Sequence, residues 1–282
     1  MNQLSIDQIH ANIHANLSTG FIIMHPLLNI AISAARQAGD IILRHSDQIH
    51  KLKIMKKNCG DVFSEVDIKA EQTIIHNILK AYPEHGIIAE ETGYHNQDAE
   101  FVWIIDPLDG TKNYIHGFPF YSISIAVQRK KKIEHAVILD PIRHECFAAS
   151  RGAGARLNDN RIRVSKEIVL KDSLIGSSFS MRDAKLSEKF NNFNQKLSQE
   201  NVNIRTTGSV ALDLAYVASG RIDGICALSM KPWDIAAGAL LIQEAGGLVS
   251  DQIGNEQYMD SGDIIAGNPK IFKQILQNLN MK

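Results

Sequence analysis

Phe101-Val102-Trp103-Ile104-Ile105-Asp106-Pro107-Leu108-Asp109-Gly110-Thr111 is an apolar run that passes straight into two acids separated by a proline and closed by a glycine. A short unbroken apolar run bounded by turn residues reads as a buried strand, so residues 101–105 are expected inside a sheet. Pro107 fixes one φ and withholds an N–H donor, while Gly110 permits a tight approach of backbone. The turn can therefore aim Asp106 and Asp109 at one point and leave the Leu108 carbonyl facing the same way. Strand ends are where an α/β sheet presents ligand-binding groups.

Two further stretches repeat the pattern of acids after an apolar or aromatic run: Ile87-Ile88-Ala89-Glu90-Glu91 and Lys231-Pro232-Trp233-Asp234. Each acid alone has an ordinary reading, because Asp-Gly is a common turn dipeptide and Asp is a favoured helix N-cap. Together they change meaning. Carboxylates brought into one partly buried site repel unless a cation neutralises them, and an all-oxygen pocket suits a hard divalent ion such as Mg²⁺.

Outward from these stretches, strands and helices interleave, which predicts an α/β (α+β) chain. A helix is expected after Met24, where Pro26 suits a first turn and Leu27, Ile30, Ala31, Ala34, Ala38, Ile41 and Ile42 recur at helical spacing. A second is expected from an N-cap at Asp67 to a stop before Pro83. Strand-like runs follow at 86–89, 101–105, 121–127, 136–139 and 146–149. The later half alternates again: strand 174–177, helix at about 183–199, strand 202–205, helix 209–219 closed by Gly220, helix 234–245, and a last helix opening at Asn268-Pro269. The block Arg129-Lys130-Lys131-Lys132 lies between two strands and reads as a solvated hairpin turn.

The 282 residues suit one large domain or two subdomains sharing an interface. Residues 24–282 are read as one domain with halves 24–150 and 151–282, and residues 1–23 as an extension, with the natural start expected at Met24. Lys plus Arg number 30 and Asp plus Glu 31, with 44% hydrophobic residues. That is ordinary globular composition and disfavours a basic nucleic-acid binder, so no direct DNA binding is expected. Cys59, Cys146 and Cys226 are scattered without a CxxC spacing, which argues against a disulfide framework and a thiolate zinc site. With no membrane-spanning run and no basic leader, a cytoplasmic protein is expected.

Residues 103–114, the Glu90-Glu91 pair, Asp61 to Asp67, and Trp233-Asp234-Ile235-Ala236-Ala237-Gly238 with Glu244-Ala245-Gly246-Gly247 resemble the inositol monophosphatase family of metal-dependent, lithium-sensitive phosphatases, in particular its bacterial SuhB-like branch. The resemblance covers nearly all of residues 24–282 and implies a layered αβαβα sandwich. It implies that Glu90, Asp106 and the Leu108 carbonyl hold one Mg²⁺, and that Asp106, Asp109 and Asp234 hold a second, with two or three ions in all. Thr111 with Asp67 would orient and deprotonate the attacking water, with Glu90 also in the catalytic set. Gly110 and Thr111 would cradle the phosphate through backbone N–H groups, and the substrate-binding set would comprise Glu90, Leu108, Asp109, Gly110, Thr111, Arg205, Gly208, Ser209 and Asp234.

The implied reaction is hydrolysis of inositol monophosphate or a similar small sugar or polyol phosphate, in a homodimer. Alternatives within the superfamily are a fructose bisphosphatase or a bisphosphate nucleotidase. The SuhB-like branch also implies a role in transcription antitermination and ribosomal RNA maturation with RNA polymerase and Nus factors. Departures from the family pattern are Ala227, where a Glu that contacts inositol hydroxyls is usual, and Lys112, where Thr is usual. Lys112 is either a cationic contact for phosphate or a solvated side chain, and Arg205 either a substrate contact or a surface residue. The histidines show no ligand spacing and are read as structural.

Overall fold

The computed structural model describes residues 25–56, 62–180 and 184–280. The extension 1–23, Met24, Cys59 and Asp61 lie outside the described residues. In chain order the elements are α1 (Pro26–Ser46), a 3-10 turn (Ile49–Lys51), β1 (Ile54–Lys56), β2 (Val62–Ser64), α2 (Glu65–Ala81), β3 (Gly86–Ala89), β4 (Gly93–His95), β5 (Phe101–Asp109), α3 (Thr111–Ile115), β6 (Ser122–Arg129), β7 (Lys132–Asp140), β8 (Glu145–Ser150), β9 (Gly154–Leu157) and β10 (Asn160–Arg161). They continue with β11 (Leu174–Phe179), α4 (Ala184–Gln199), β12 (Asn203–Arg205), α5 (Val210–Ala218), β13 (Gly224–Leu228), α6 (Pro232–Glu244), β14 (Leu248–Ser250), α7 (Tyr258–Ser261), β15 (Ile264–Gly267) and α8 (Pro269–Asn280).

Alternation along β5 decides the layering. Trp103 and Ile105 pack into an outer core with α1 and α2, whereas Ile104 packs into a central core with α5 and α6. Both faces of this strand are therefore covered, which is why it reads as a continuous apolar run. Its sheet has eight strands in the order β10-β9-β8-β7-β6-β5-β3-β4, antiparallel except for the β3/β5 pair. A five-stranded sheet, β12-β11-β13-β15-β14, closes the other side of α5 and α6. On β13, Ile225 and Ala227 face the central core while Cys226 and Leu228 face a third core with α4 and α8. The order of layers is thus α1/α2, first sheet, α5/α6, second sheet, α4/α8. Each fully buried Ile or Leu in these cores contributes about 1.5–3 kcal/mol.

Local signals explain the ends. His25 caps α1 by accepting from Leu27 N through Nδ1, with Pro26 in the first turn. Lys130 and Lys131 both have positive φ, 48° and 65°, and join β6 to β7 in the tight twisted turn that an antiparallel hairpin favours. The structure corrects two caps. Ser64, not Asp67, is the N-cap of α2, and Lys231 precedes α6; Asp67 and Asp234 each occupy the third helical position instead. The last strands of the first sheet, β9 and β10, carry it to Arg161. Among the described residues no helix is long and apolar enough to cross a membrane.

Helices α5 and α6 meet at Gly238, where an added Cβ would stand 2.4 Å from Leu214 Cβ. Gly238→Ala is therefore expected to cost about 1–3 kcal/mol through overpacking, read as a lowered urea midpoint with unchanged slope. An unchanged midpoint would contradict the packing.

Candidate active site

Sequence spacing ends the strand at Ile105 and turns at 106–110, but β5 continues through Pro107 to Asp109. Its pairing with β6 runs Asp106 to Ser124 and then Asp109 to Ser122, three steps on one strand against two on the other. That is a β-bulge. Side chains three apart on a regular strand point to opposite faces, and the extra residue removes that opposition. Pro107 fits there because a bulge asks for no ladder donor. Gly110 then takes φ 95° to start α3, and a Cβ on it would meet the Phe120 carbonyl at 3.0 Å.

Each acid fixes itself by spending a side-chain oxygen on a nearby N–H. Asp106 Oδ1 accepts from Leu108 N at 3.0 Å, and Asp234 Oδ2 accepts from Lys231 N at 2.8 Å. Asp109 Oδ2 accepts from Ser209 Oγ at 2.6 Å and Ala211 N at 2.8 Å, so the start of α5 clamps it. Glu90 follows β3 directly, and its loop is held by Glu71, a fully buried acid on α2 that accepts from Glu91 N and Thr92 N, each at 2.8 Å.

These acids share one electrostatic field. Burial pushes the Asp106 carboxyl well above its usual range, and the charges of Glu90, Asp109 and Asp234 push it further. Burial likewise raises Asp109, to about 6, against the bonds from Ser209 and Ala211. Asp67 is raised by burial against bonds from Ser64 and Thr111. Among the described residues, no three Asp, Glu, His or Cys side chains stand at metal-chelating spacing. The carboxylates stand near enough for the charges of Glu90, Asp109 and Asp234 to act on Asp106.

Asp67 faces the bulge from α2. Its Oδ2 is saturated by Ser64 N at 2.8 Å and Ser64 Oγ at 2.6 Å, while Oδ1 meets Thr111 Oγ1 at 3.0 Å. Thr111 Oγ1 also lies 3.0 Å from the Leu108 carbonyl. One hydroxyl proton thus has two acceptors, which leaves Asp67 Oδ1 as the side of that carboxylate able to trade a proton.

Of the remaining expected residues, Gly208 and Ser209 lie in the turn before α5, next to Asp109, whereas Arg205 is exposed on edge strand β12 and donates to the Ile204 carbonyl. Lys112 is exposed and Ala227 is fully buried in the central core. Sequence reading missed Glu71, Ser64, Asn113 and Asp213. For Ser64 a signal existed, since Ser64 followed three residues later by an acid has the form of a capping box; the contacts of Glu71 and of Asn113 with Thr207 are long-range, and that of Asp213 with Thr207, six residues back, follows no standard motif.

Residues 23–281 match the inositol monophosphatase family. The chain belongs to that family. It is 46% identical over 261 residues to the Nus factor SuhB of Pseudomonas aeruginosa, covering 91% of this chain and 96% of that protein. Against the Nus factor SuhB of Escherichia coli K12 it is 45% identical over 257 residues, with the same coverage of both chains. Among solved structures it resembles the extragenic suppressor protein suhB of Bartonella henselae with a TM-score of 0.88 and 37% identity, covering 91% of this chain and 99% of that one. The inositol monophosphatase of Anabaena (Nostoc) sp. PCC 7120 follows at 0.79 and 33%, covering 94% and 96%. These neighbours share the layered α/β sandwich described above.

Asp109, raised to about 6, and Asp213, pushed up by burial to about 8, carry a sign for stability. A carboxyl whose folded value is raised contributes its full stability below the ordinary pKa of about 4 and loses it as pH rises through the raised value. In chelator, the protein is expected to melt lower at pH 8.5 than at pH 5, and Asp213→Asn to flatten that difference. Thermal denaturation across this range checks it; a wild-type slope unchanged by the substitution would count against the assignment.

Proposed function

We propose that this chain is a divalent-metal-dependent phosphatase that hydrolyses inositol monophosphate or a similar small sugar or polyol phosphate. The observation that supports this most is the set of four carboxylates, Glu90, Asp106, Asp109 and Asp234, two of them on one bulged strand, in which burial and then the charges of the other three raise the carboxyl of Asp106. The donor chemistry fits a hard cation, being carboxylate and carbonyl oxygen without thiolate or imidazole. Glu90, Asp106 and the Leu108 carbonyl would hold one Mg²⁺, and Asp106, Asp109 and Asp234 a second. Bound there, the ions would neutralise the negative charge that resists attack on a phosphate monoester and lower the pKa of water.

The chain's own residues would do the rest. Gly110 gives α3 no side-chain cap, so the N–H groups of the first turn are left for an anion, which helix N-termini favour. The water's proton would pass by way of Thr111 Oγ1 to Asp67 Oδ1, the cap being held by the other oxygen, Oδ2. Burial lifts Asp67 toward neutrality, which suits a general base. Glu90 would enter the same set from the end of β3. At position 227 the core-facing methyl offers no acceptor for a sugar hydroxyl, so selectivity for inositol over other polyol phosphates is expected to be weak.

Asp106→Asn is expected to lower Mg²⁺-dependent phosphate release from inositol-1-phosphate by at least a hundredfold, with circular dichroism unchanged. Undiminished turnover would refute the role. The relatives named Nus factor SuhB support a second reading, in which the chain binds the RNA polymerase and Nus machinery with or without catalysis. Retention of those partners by the Asp106→Asn protein in a pull-down would separate that role from the phosphatase, and loss of capture by wild type would remove it.

A further inference from the structure

Asp213 lies in the first turns of α5 and is 1% exposed. Its Oδ1 has no hydrogen-bond partner, the only such buried side-chain atom among the described residues. A buried carboxyl with an unpaired oxygen is destabilising, so the position calls for a role beyond packing. Its other oxygen, Oδ2, accepts from Thr207 Oγ1 at 2.8 Å. Thr207 Oγ1 in turn accepts from Ser209 N at 3.3 Å, and the Thr207 carbonyl accepts from Asn113 Nδ2 at 2.8 Å. Asn113 Nδ2 also donates to the Phe120 carbonyl at 2.7 Å.

These bonds tie the 207–209 turn to α5 on one hand and to α3 on the other. Ser209 Oγ and Ala211 N, from the turn that Thr207 opens, are the two donors that clamp Asp109 Oδ2. Asn113, from the helix that Asp109 and Gly110 introduce, grips the same turn from the opposite side. Gly208 sits between with φ 88°, and a Cβ there would meet the Asn113 side chain at 2.9 Å. The turn has little freedom to move, and Asp213 is its anchor on the core side.

We propose that Asp213 is a positioning residue of the carboxylate site: by holding Thr207 it fixes the Thr207-Gly208-Ser209 turn and, through Ser209 and Ala211, the orientation of Asp109. This rests on the reading of Asp109 as a metal ligand in the proposed phosphatase. Asp213 touches neither metal nor substrate. Partners that orient a ligating carboxylate typically change metal affinity or activity by about 10- to 100-fold when removed.

The test uses the full chain as wild type, Asp213→Leu, Thr207→Val, the double variant and Asp213→Asn. Two quantities are read: the Mg²⁺ concentration at half-maximal rise in Tm, and kcat and KM for inositol-1-phosphate. Asp213→Leu and Thr207→Val are each expected to raise the Mg²⁺ midpoint at least fivefold and lower kcat about tenfold, with KM within twofold. The double variant is expected to be no worse than Asp213→Leu, because both act along one path. Asp213→Asn keeps an oxygen to accept from Thr207 and is expected to stay within twofold of wild type in both quantities.

A lowered Tm with an unchanged Mg²⁺ midpoint in Asp213→Leu and Thr207→Val would make the role structural only and overturn the proposal. Additive losses in the double variant, or equal damage from Asp213→Asn, would overturn it as well. If Asp213→Leu does not fold, Thr207→Val decides alone. Should wild type bind Mg²⁺ yet hydrolyse no phosphate ester, the phosphatase reading fails while the midpoints still decide the positioning role.

Discussion

A strand with regular alternation sends residues three apart to opposite faces, and the candidate site exists because β5 breaks that rule between Asp106 and Asp109. The extra residue in the pairing with β6 lets two acids from one strand share a field, and Pro107 can occupy the bulge because it has no N–H to waste there. Everything else converges on that irregularity. The parallel neighbour β3 delivers Glu90, α2 delivers Asp67 to the Thr111 hydroxyl, the start of α5 clamps Asp109, and the start of α6 brings Asp234.

Gathering these acids is unfavourable, and the fold shows how the cost is contained. Asp67 and Asp234 sit at the third position of their helices, where each bonds the N–H of the cap residue and where a negative charge is favoured by the helix end. Asp106 closes a local turn on Leu108 N, and Asp109 draws on two donors from α5. Burial then works against ionisation, and the raised values of Asp106 and Asp109 express the remaining tension. A cation relieves that tension by supplying the positive charge the gathered carboxylates lack.

Much of the architecture was legible because the buried strands read as unbroken apolar runs and the helices as 3.6-residue stripes with proline or glycine at their ends. The strand 101–105, the helix after Met24 and the hairpin at Lys130-Lys131 follow from such local signals. Asp106, Asp109 and Asp234 stood out as acids set against apolar or aromatic runs. What local patterns hid was pairing over distance. No spacing rule places Glu71 under the Glu90 loop or Asn113 against Thr207, and no rule extends a strand through Pro107. Cap assignment failed at Asp67 and Asp234 for a different, local reason: an acid near a helix start can be the cap or, at the third helical position, the acceptor of the cap residue's N–H, and at Asp67 the preceding Ser64 is what tells the two apart.

Four carboxylates acting as one cation site are the centre of the proposed chemistry. A crystal of the full chain soaked in Mn²⁺ and measured at the manganese edge tests that most directly. Anomalous density is expected among Glu90, Asp106, the Leu108 carbonyl, Asp109 and Asp234, and density that avoids these residues, or none at saturating Mn²⁺, would contradict it.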